Sequence, residues 1–319
     1  AYPDEYLTVM RRFLTIAAAF AISAAAMFAQ TPSAKEFNDR YQLLVSKLGP
    51  SGVGIETLLD RWAAAYPDDS EMLIGKFSYY MDKSRKTSVV KKDQKRYLGE
   101  NPVLTLKDST GNDVYYFQED TFDDELFGQA QKALEKAIQL NPDRLDMRIL
   151  KVASLIGYEK ESPDMALSDL KSLIIYNETQ HPKWEYPGVE KVDETFFSAT
   201  VQEYCYLFFR YASPVSYEAF RELSATMVSY QPSDVLFLDN LGSYYLVVKH
   251  DNKTALKYYT KVLKIKADDI TAIKNIIIMA RNSGNVKLEK KYLPLLAKYS
   301  TSESEKMSAQ ARLDFLNKK

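Results

Sequence analysis

Apolar and polar positions follow one another along most of the chain with the period of an α-helix. In AQKALEKAIQLNP, 130–142, small or apolar residues stand 5, 8 and 12 positions before Pro142, at Ala137, Leu134 and Ala130. That spacing places all three on one face of a helix. It recurs before Pro67, at Trp62, Leu59 and Ile55, and before Ala267, at Val262, Tyr259 and Ala255. Before Pro232 only Met227 keeps the register, and the rest of the face slips by one residue to Leu223 and Ala219. A second apolar helix opens shortly after each reference residue: SEMLIGKFSYYM, LDMRILKVASLIG, VLFLDNLGSYYLV and ITAIKNIIIMARNSG. Proline suits such a junction, because it cannot continue the first helix but can lead into the next. The pattern therefore predicts helix pairs at 34–66, 69–141, 144–176, 192–231, 233–266 and 268–299. A closing amphipathic helix is expected over 302–317, with Met307, Ala311 and Leu313–Phe315 facing inward. Such arrays need a terminal cap with one polar face.

One stretch carries more than periodicity. NLGSYYLVVKHDNKTALKYYTKVLKIKADD, 240–269, resembles the tetratricopeptide repeat (TPR) family. Asn240, Leu241, Gly242 and Tyr245 match its first-helix signature, and Ala255, Tyr259 and Val262 match the second. The departures are a turn one residue longer than usual, Ala267 in place of the usual proline, and Leu238 at the tryptophan position. Full motif quality covers about 30 residues, and a weaker likeness in helix-pair spacing extends over most of 34–299. The resemblance implies an all-α fold. It would be an α-solenoid of TPR-like helix pairs with one inserted β-hairpin and a C-terminal capping helix, forming a single domain over 30–319. Gly242 and Ala255 would let the helices approach, and Tyr245 and Tyr259 would fill the space between them.

The resemblance also implies a concave face, lined by the first helix of each pair, that binds a peptide or protein segment. Carried over by position, the candidate contacts are Ile74 and Ser78, Ile149 and Ala153, Asp239 and Ser243, and Lys274, Ile278 and Arg281. The family's lysine and asparagine clamp for carboxylate tails is not reproduced, since Asp239 and Ser243 replace one such pair and Ile278 another. An apolar or extended segment of mixed charge is the expected ligand.

Two breaks interrupt the repeat, and breaks are where function tends to lodge. The larger, 83–124, begins with KSRKTSVVKKDQKR, whose Lys83, Arg85, Lys86, Lys91, Lys92, Lys95 and Arg96 could grip an anionic lipid, a sulfated glycan or an acidic partner. A solvated helix or loop face explains the same charges. Two alternating runs, Val103 to Lys107 and Val114 to Gln118, then flank DSTGND and predict a β-hairpin. It is expected to pack on helices through some of Leu104, Leu106, Tyr115 and Phe117. The second break, NETQHPKWEYPGVEK at 177–191, sets Trp184 and Tyr186 in a loop bearing proline and glycine. With Tyr115 and Tyr116 these rings could stack on a sugar, giving a carbohydrate-binding alternative, or could lie over the helices beneath. A purely structural subunit of an envelope complex is a third reading.

Composition narrows the rest. Lysine plus arginine number 42 against 43 aspartates and glutamates, a net charge of −1 that gives no reason to expect nucleic acid. From Met10 the chain reads MRRFLTIAAAFAISAAAMFAQ, the layout of a secretory signal peptide with cleavage expected after Ala29 or Ala26, and residues 1–9 lie upstream of its natural start. An exported protein, periplasmic or extracellular, is expected, with no transmembrane segment in the mature chain. Its single cysteine, Cys205, lies in EYCYLFFRY and reads as a small buried hydrophobe. No P-loop, GxSxG, HExxH or CxxC pattern occurs, and the two histidines, His181 and His250, stand far apart. GPSGVG at 49–54 reads as a turn, and the paired carboxylates at Asp68–Asp69, Asp123–Asp124 and Asp268–Asp269 read as helix caps. No cofactor, metal or catalytic residue is expected.

Overall fold

The computed structural model describes residues 31–318, so the expected signal segment Met10–Ala29 lies outside the described residues. The chain divides into two compact units: 31–85 with 123–141, and 86–122 with 142–318. The helices expected from the apolar pattern are present, thirteen α-helices among the described residues, along with a small three-stranded sheet.

The first unit holds α1 (Ala34–Leu48), α2 (Ile55–Ala65), α3 (Ser70–Ser84) and α4 (Asp124–Leu140). Consecutive helices pack against each other, and α1 also reaches α3. Trp62 stacks parallel on Phe37, with ring centroids 6.0 Å apart. GPSGVG is a turn, with Gly49 at φ 80° and Gly54 at φ 85°. Asp69 and Asp123 cap α3 and α4, each accepting a backbone N–H at 3.0 Å from three residues on. The acidic doublets are thus used as helix starts.

The second unit continues with α5 (Leu145–Glu159), α6 (Asp164–Gln180), α7 (Glu194–Tyr211), α8 (Pro214–Tyr230), α9 (Val235–Ser243), α10 (Asn252–Ile265), α11 (Ile270–Asn282), α12 (Val286–Tyr299) and α13 (Glu303–Asn317). From α7 to α13 each helix packs on the next, and α7 and α11 also reach α9, the nearest-neighbour logic of a repeat array. Every apolar residue that carries the spacing before Pro67, Pro142, Pro232 and Ala267 is at most 3% exposed. Burial on that scale is the main favourable term in folding.

The TPR-like stretch folds as its residues demand, with one adjustment. A Cβ on Gly242 would fall 2.6 Å from Cε1 of Tyr259, so only glycine admits this approach. Residues Tyr244–Val248 form a π-turn, in which the Lys249 N–H donates to the Tyr244 carbonyl at 3.2 Å. The extra residue in the turn is absorbed there, since a π-bulge takes up one inserted residue in a helix. The insertion also corrects one assignment: Tyr244 is fully buried, whereas Tyr245 is half-buried and stacks on Tyr258 at 5.7 Å.

The terminal helix is present but its phase differs from expectation. Ala309 and Leu316 are buried and Leu313 packs on the same core, while Met307 is 72% exposed and Phe315 49%. Ala311 is exposed as well. Ion pairs set this rotation. Arg312 donates twice to the buried Glu289, at 2.8 and 3.0 Å, and Lys274 reaches Glu305.

The insertion holds three strands, β1 (Arg85–Lys92), β2 (Leu104–Lys107) and β3 (Asp113–Phe122), in the order β1-β3-β2. The hairpin is antiparallel, with Leu104 opposite Tyr116 and Leu106 opposite Val114. One expectation changes here, and the packing of the hairpin is met through Phe117. The middle of the basic run, Arg85–Lys92, is a β-strand rather than a helix or loop, because its Thr87-Ser88-Val89-Val90 centre suits an extended chain, while Lys83 belongs to α3 and Lys95 and Arg96 follow the strand. Leu104 and Leu106 remain nearly half exposed, and Val114 and Phe117 are the buried residues. Only the central strand is covered, and β2 is open on both faces.

Candidate functional site: the cleft beside the β-insertion

Between β1 and β2 the chain makes a tight turn, Tyr97-Leu98-Gly99-Glu100. Tyr97 and Glu100 exchange backbone hydrogen bonds of 3.1 and 2.9 Å. Both central residues have positive φ, 49° at Leu98 and 77° at Gly99. Such a turn suits glycine and strains a leucine. A Cβ on Gly99 would also meet Arg210 Cγ at 2.6 Å. Leu98 is therefore held in a costly conformation that positions the turn.

On one side of this turn lies a cleft of about 370 Å³. Tyr97, Val103 and Phe117 give it an apolar wall, and Gly157 and Lys160, at the end of α5, close the other side. Tyr97 and Phe117 are buried and meet edge to face at 5.8 Å. Gly157 leaves the floor low, since a Cβ there would meet only the Phe122 ring, at 3.9 Å. A second cleft of about 330 Å³ lies on the other side of the turn, lined by Arg96, Leu98, Glu161 and Arg210 among others.

Each carboxylate of the first cleft has a partner: Glu100 pairs with Arg210 at 3.5 Å, Asp120 accepts from the Thr87 hydroxyl at 2.5 Å, and Glu119 has several. Glu119 accepts from Lys160 at 2.6 Å and pairs with Lys92 at 3.5 Å, and the Tyr97 hydroxyl donates to it at 3.4 Å. Lys92 also sits 4.0 Å from the centre of the Tyr97 ring. The Lys160 hydrogen bond holds the Glu119 carboxyl below the usual carboxylate range. Burial, then the carboxylates of Glu119 and Glu161, push the Tyr97 hydroxyl well above its ordinary value. Glu119 thus stays charged and Tyr97 stays protonated. The arrangement offers packing surface and fixed hydrogen-bond donors, the furniture of a binding cleft.

The positions read from the sequence fall elsewhere. Tyr115 and Tyr116 lie on β3 and are half-buried. Trp184 is not at a loop tip: it is 9% exposed, its Nε1 donates to Asn177 Oδ1 at 2.8 Å, and it stacks parallel on Phe197 at 6.2 Å. Arg148 lies 5.6 Å from the same ring. Tyr186 packs edge to face on Phe196 at 5.4 Å. Large rings in a short loop find a helix to cover, which is why these two are packing groups.

The first-helix positions are similarly engaged. Ile74 is half-buried, and Ser78 bonds to the Tyr41 hydroxyl. Ile149 is half-buried, its carbonyl accepting from Tyr204 at 3.4 Å, and Ala153 is exposed. Asp239 is buried, a correction to its place on an open face, with Asp269 and Lys266 nearby. Ser243 bonds to the Tyr259 hydroxyl at 3.1 Å. Lys274 is taken by Glu305 and Arg281 by Glu289, leaving Ile278, 48% exposed, and Ala153 as the apolar positions open to solvent. Cys205 is buried beside Ser224, and burial pushes its thiol up to about 12. Among the described residues no group of three metal-binding side chains is assembled, and no helix is long and apolar enough to cross a membrane.

Of the cleft residues, Phe117 stands out in the sequence as a packing group of the hairpin. Tyr97, Glu119 and Lys160 do not, since no spacing links them. Gly99 after Leu98 is the one local sign of the turn that joins them.

No family model and no curated protein matches the sequence. Among solved structures the chain is similar to YrrB, a TPR protein with an unusual peptide-binding site. That match has 14% identity over 76% of this chain and 91% of the other, with a TM-score of 0.32. It is also similar to the flexible tandem repeat domain of a bacterial cellulose synthase component. There the identity is 13% over 90% of this chain and 98% of the other, with a TM-score of 0.29. Both likenesses are too slight to carry a functional argument, so the assignment stands on the chain's own helix pairs. With Gly242 seated on Tyr259 and its apolar triads buried helix after helix, the chain is an all-α helical-repeat protein with a three-stranded β-insertion, and its likeness to tetratricopeptide repeats rests on residues 240–269.

Proposed function

We propose that the protein is an exported, non-catalytic interaction module that recognises an extended segment of another protein through the cleft beside its β-insertion. The observation that carries this reading is the cleft itself. It has an apolar wall of Tyr97, Val103 and Phe117, a low floor at Gly157, and a rim on which Glu119 pairs with Lys160 and Lys92, Glu100 pairs with Arg210 and Asp120 accepts from the Thr87 hydroxyl. A site of that kind gains by burying an apolar side chain and pays no penalty for stranding a charge. Export is supported by the basic and apolar layout from Met10 to Ala29. A non-catalytic role is supported by the balance at Glu119 and Tyr97, which keeps both groups out of proton transfer near neutral pH.

The test is selection from a displayed random-peptide library, repeated with Gly157→Leu. That variant fills the floor, and space for it exists beside Phe122. Peptides enriched on the wild type should share an apolar anchor and lose at least tenfold in affinity for the variant, whose circular dichroism is unchanged. Peptides that bind both proteins alike would sink the cleft as the contact site. Export is checked separately by the intact mass of the protein recovered from the periplasm or medium, which should correspond to a chain beginning near Gln30.

A further inference from the structure

The cleft leaves one property of the insertion unused, its basic edge. Strand β1 stands at the end of the order β1-β3-β2, so one of its two backbone edges has no strand beside it. Among the described residues, Lys86–Lys92 makes no backbone hydrogen bond outside the sheet. Its side chains are exposed on both faces from Lys86 to Val89, and Val89 is 61% exposed. An edge in this state presents N–H and C=O groups at alternate residues to any chain that can lie alongside.

The charges decide which chain that can be. Lys92 is committed to Glu119, and Arg96 donates to the Gly99 carbonyl at 2.9 Å. Lys86, Lys91 and Lys95 are exposed and form no salt bridge among the described residues. Lysines along an edge repel a second copy of the same strand, because like charges directly opposite destabilise a pair. The same lysines favour a strand that brings carboxylates.

We propose that the free edge of β1 is a docking site for an acidic, extended segment of a partner protein, which adds to the sheet as a fourth strand. Main-chain hydrogen bonds supply attraction in this mode, and side chains supply specificity. Lys86 and Lys91 are five positions apart and so project to opposite faces of the sheet. The incoming segment must therefore carry carboxylates five positions apart, with an apolar residue between them to lie across from Val89.

The peptide Thr-Glu-Thr-Val-Val-Thr-Glu-Thr meets that requirement in either strand direction, and fluorescence anisotropy of a labelled copy tests it. Binding should weaken as salt is raised. The double variant Lys86→Glu with Lys91→Glu should bind about tenfold more weakly, the order expected from two reversed cross-strand pairs. A copy of the peptide N-methylated at every residue keeps its charges but loses its donors on both edges, and it should bind no better than the reversed pair. The Gly157→Leu protein should bind the parent peptide as the wild type does. Absence of binding to the wild type overturns the proposal, as does full affinity for the charge-reversed protein or for the N-methylated peptide. Loss of binding in Gly157→Leu also overturns it, by assigning the peptide to the cleft. Helicity of each variant, read by circular dichroism, confirms that a lost signal is not a lost fold.

Discussion

A Cβ at position 242 would stand within 2.9 Å of three atoms of the Tyr259 ring, which is itself fully buried and hydrogen-bonded to Ser243. Gly242→Ala should therefore cost about 1–3 kcal/mol, the usual range for overpacking a filled core, read as a lower urea midpoint. Helix propensity alone would make the same change stabilising, so the sign of the shift separates the two effects. Asp239 presents a second single-residue problem. It is buried, its Oδ1 has no hydrogen-bond partner, and burial followed by the neighbouring Asp269 carboxylate raises its pKa to about 8. The folded state thus prefers Asp239 protonated. Its stabilising contribution is complete below the ordinary carboxylate range near pH 4 and is lost as pH rises through about 8. Asp239→Asn keeps the shape and removes the ionisation. It should raise stability at pH 9 by on the order of 2 kcal/mol and leave it nearly unchanged at pH 4. Equal melting shifts at both pH values would show that the carboxyl does not titrate with folding.

At the scale of elements, the clearest case is the terminal helix α13. Two buried apolar residues, Ala309 and Leu316, hold it, and so does the Arg312 fork on Glu289, which also receives Arg281 at 3.1 Å. Glu289 is almost wholly buried, so removing its charge leaves two guanidinium groups without their counter-ion. Glu289→Gln should loosen α13 by about 2 kcal/mol. Limited proteolysis should then cut within 303–317 several-fold faster, while cleavage within α1 to α4 stays as before. The same helix shows where sequence reading stops. Met307, Ala311 and Leu313–Phe315 make a plausible stripe, yet only Leu313 of these packs on the core, beside the buried Ala309 and Leu316. Two faces of similar apolarity compete there, and ion pairs to α11 and α12 decide between them. Periodicity does not encode those partners. The triads ending at Trp62, Ala137, Met227 and Val262 are legible because no rival face exists on those helices. Strand β1 is misread for a related reason, since its lysines look like a solvated helix until β3 is seen beside it. The cleft is harder still, because Tyr97, Phe117 and Lys160 belong to three separate segments.

At the scale of the molecule, chain order and compactness part company. The insertion interrupts the second helix pair in sequence, between α3 and α4, yet residues 86–122 cluster with 142–318. The contacts are specific: Glu119 to Lys160 at 2.6 Å, and Phe122 against Tyr158 at 6.2 Å between ring centroids. In a repeat protein, stability is close to a sum of local terms and nearest-neighbour terms, so a defect should stay near where it is made. Leu59 is 1% exposed and belongs to the triad of α2. Leu59→Ala removes a buried side chain at a cost of about 3 kcal/mol. Amide exchange should accelerate across 31–85 and 123–141, by a factor that follows from that loss, and remain near wild type across 235–299. Residues 114–122 then give the sharper reading. If the insertion belongs energetically to the helices it packs on, its amides will keep wild-type protection although the helices on either side of it in sequence have opened. Accelerated exchange in β3 together with α3 and α4 would place the insertion, and the cleft it walls, in the other cooperative unit.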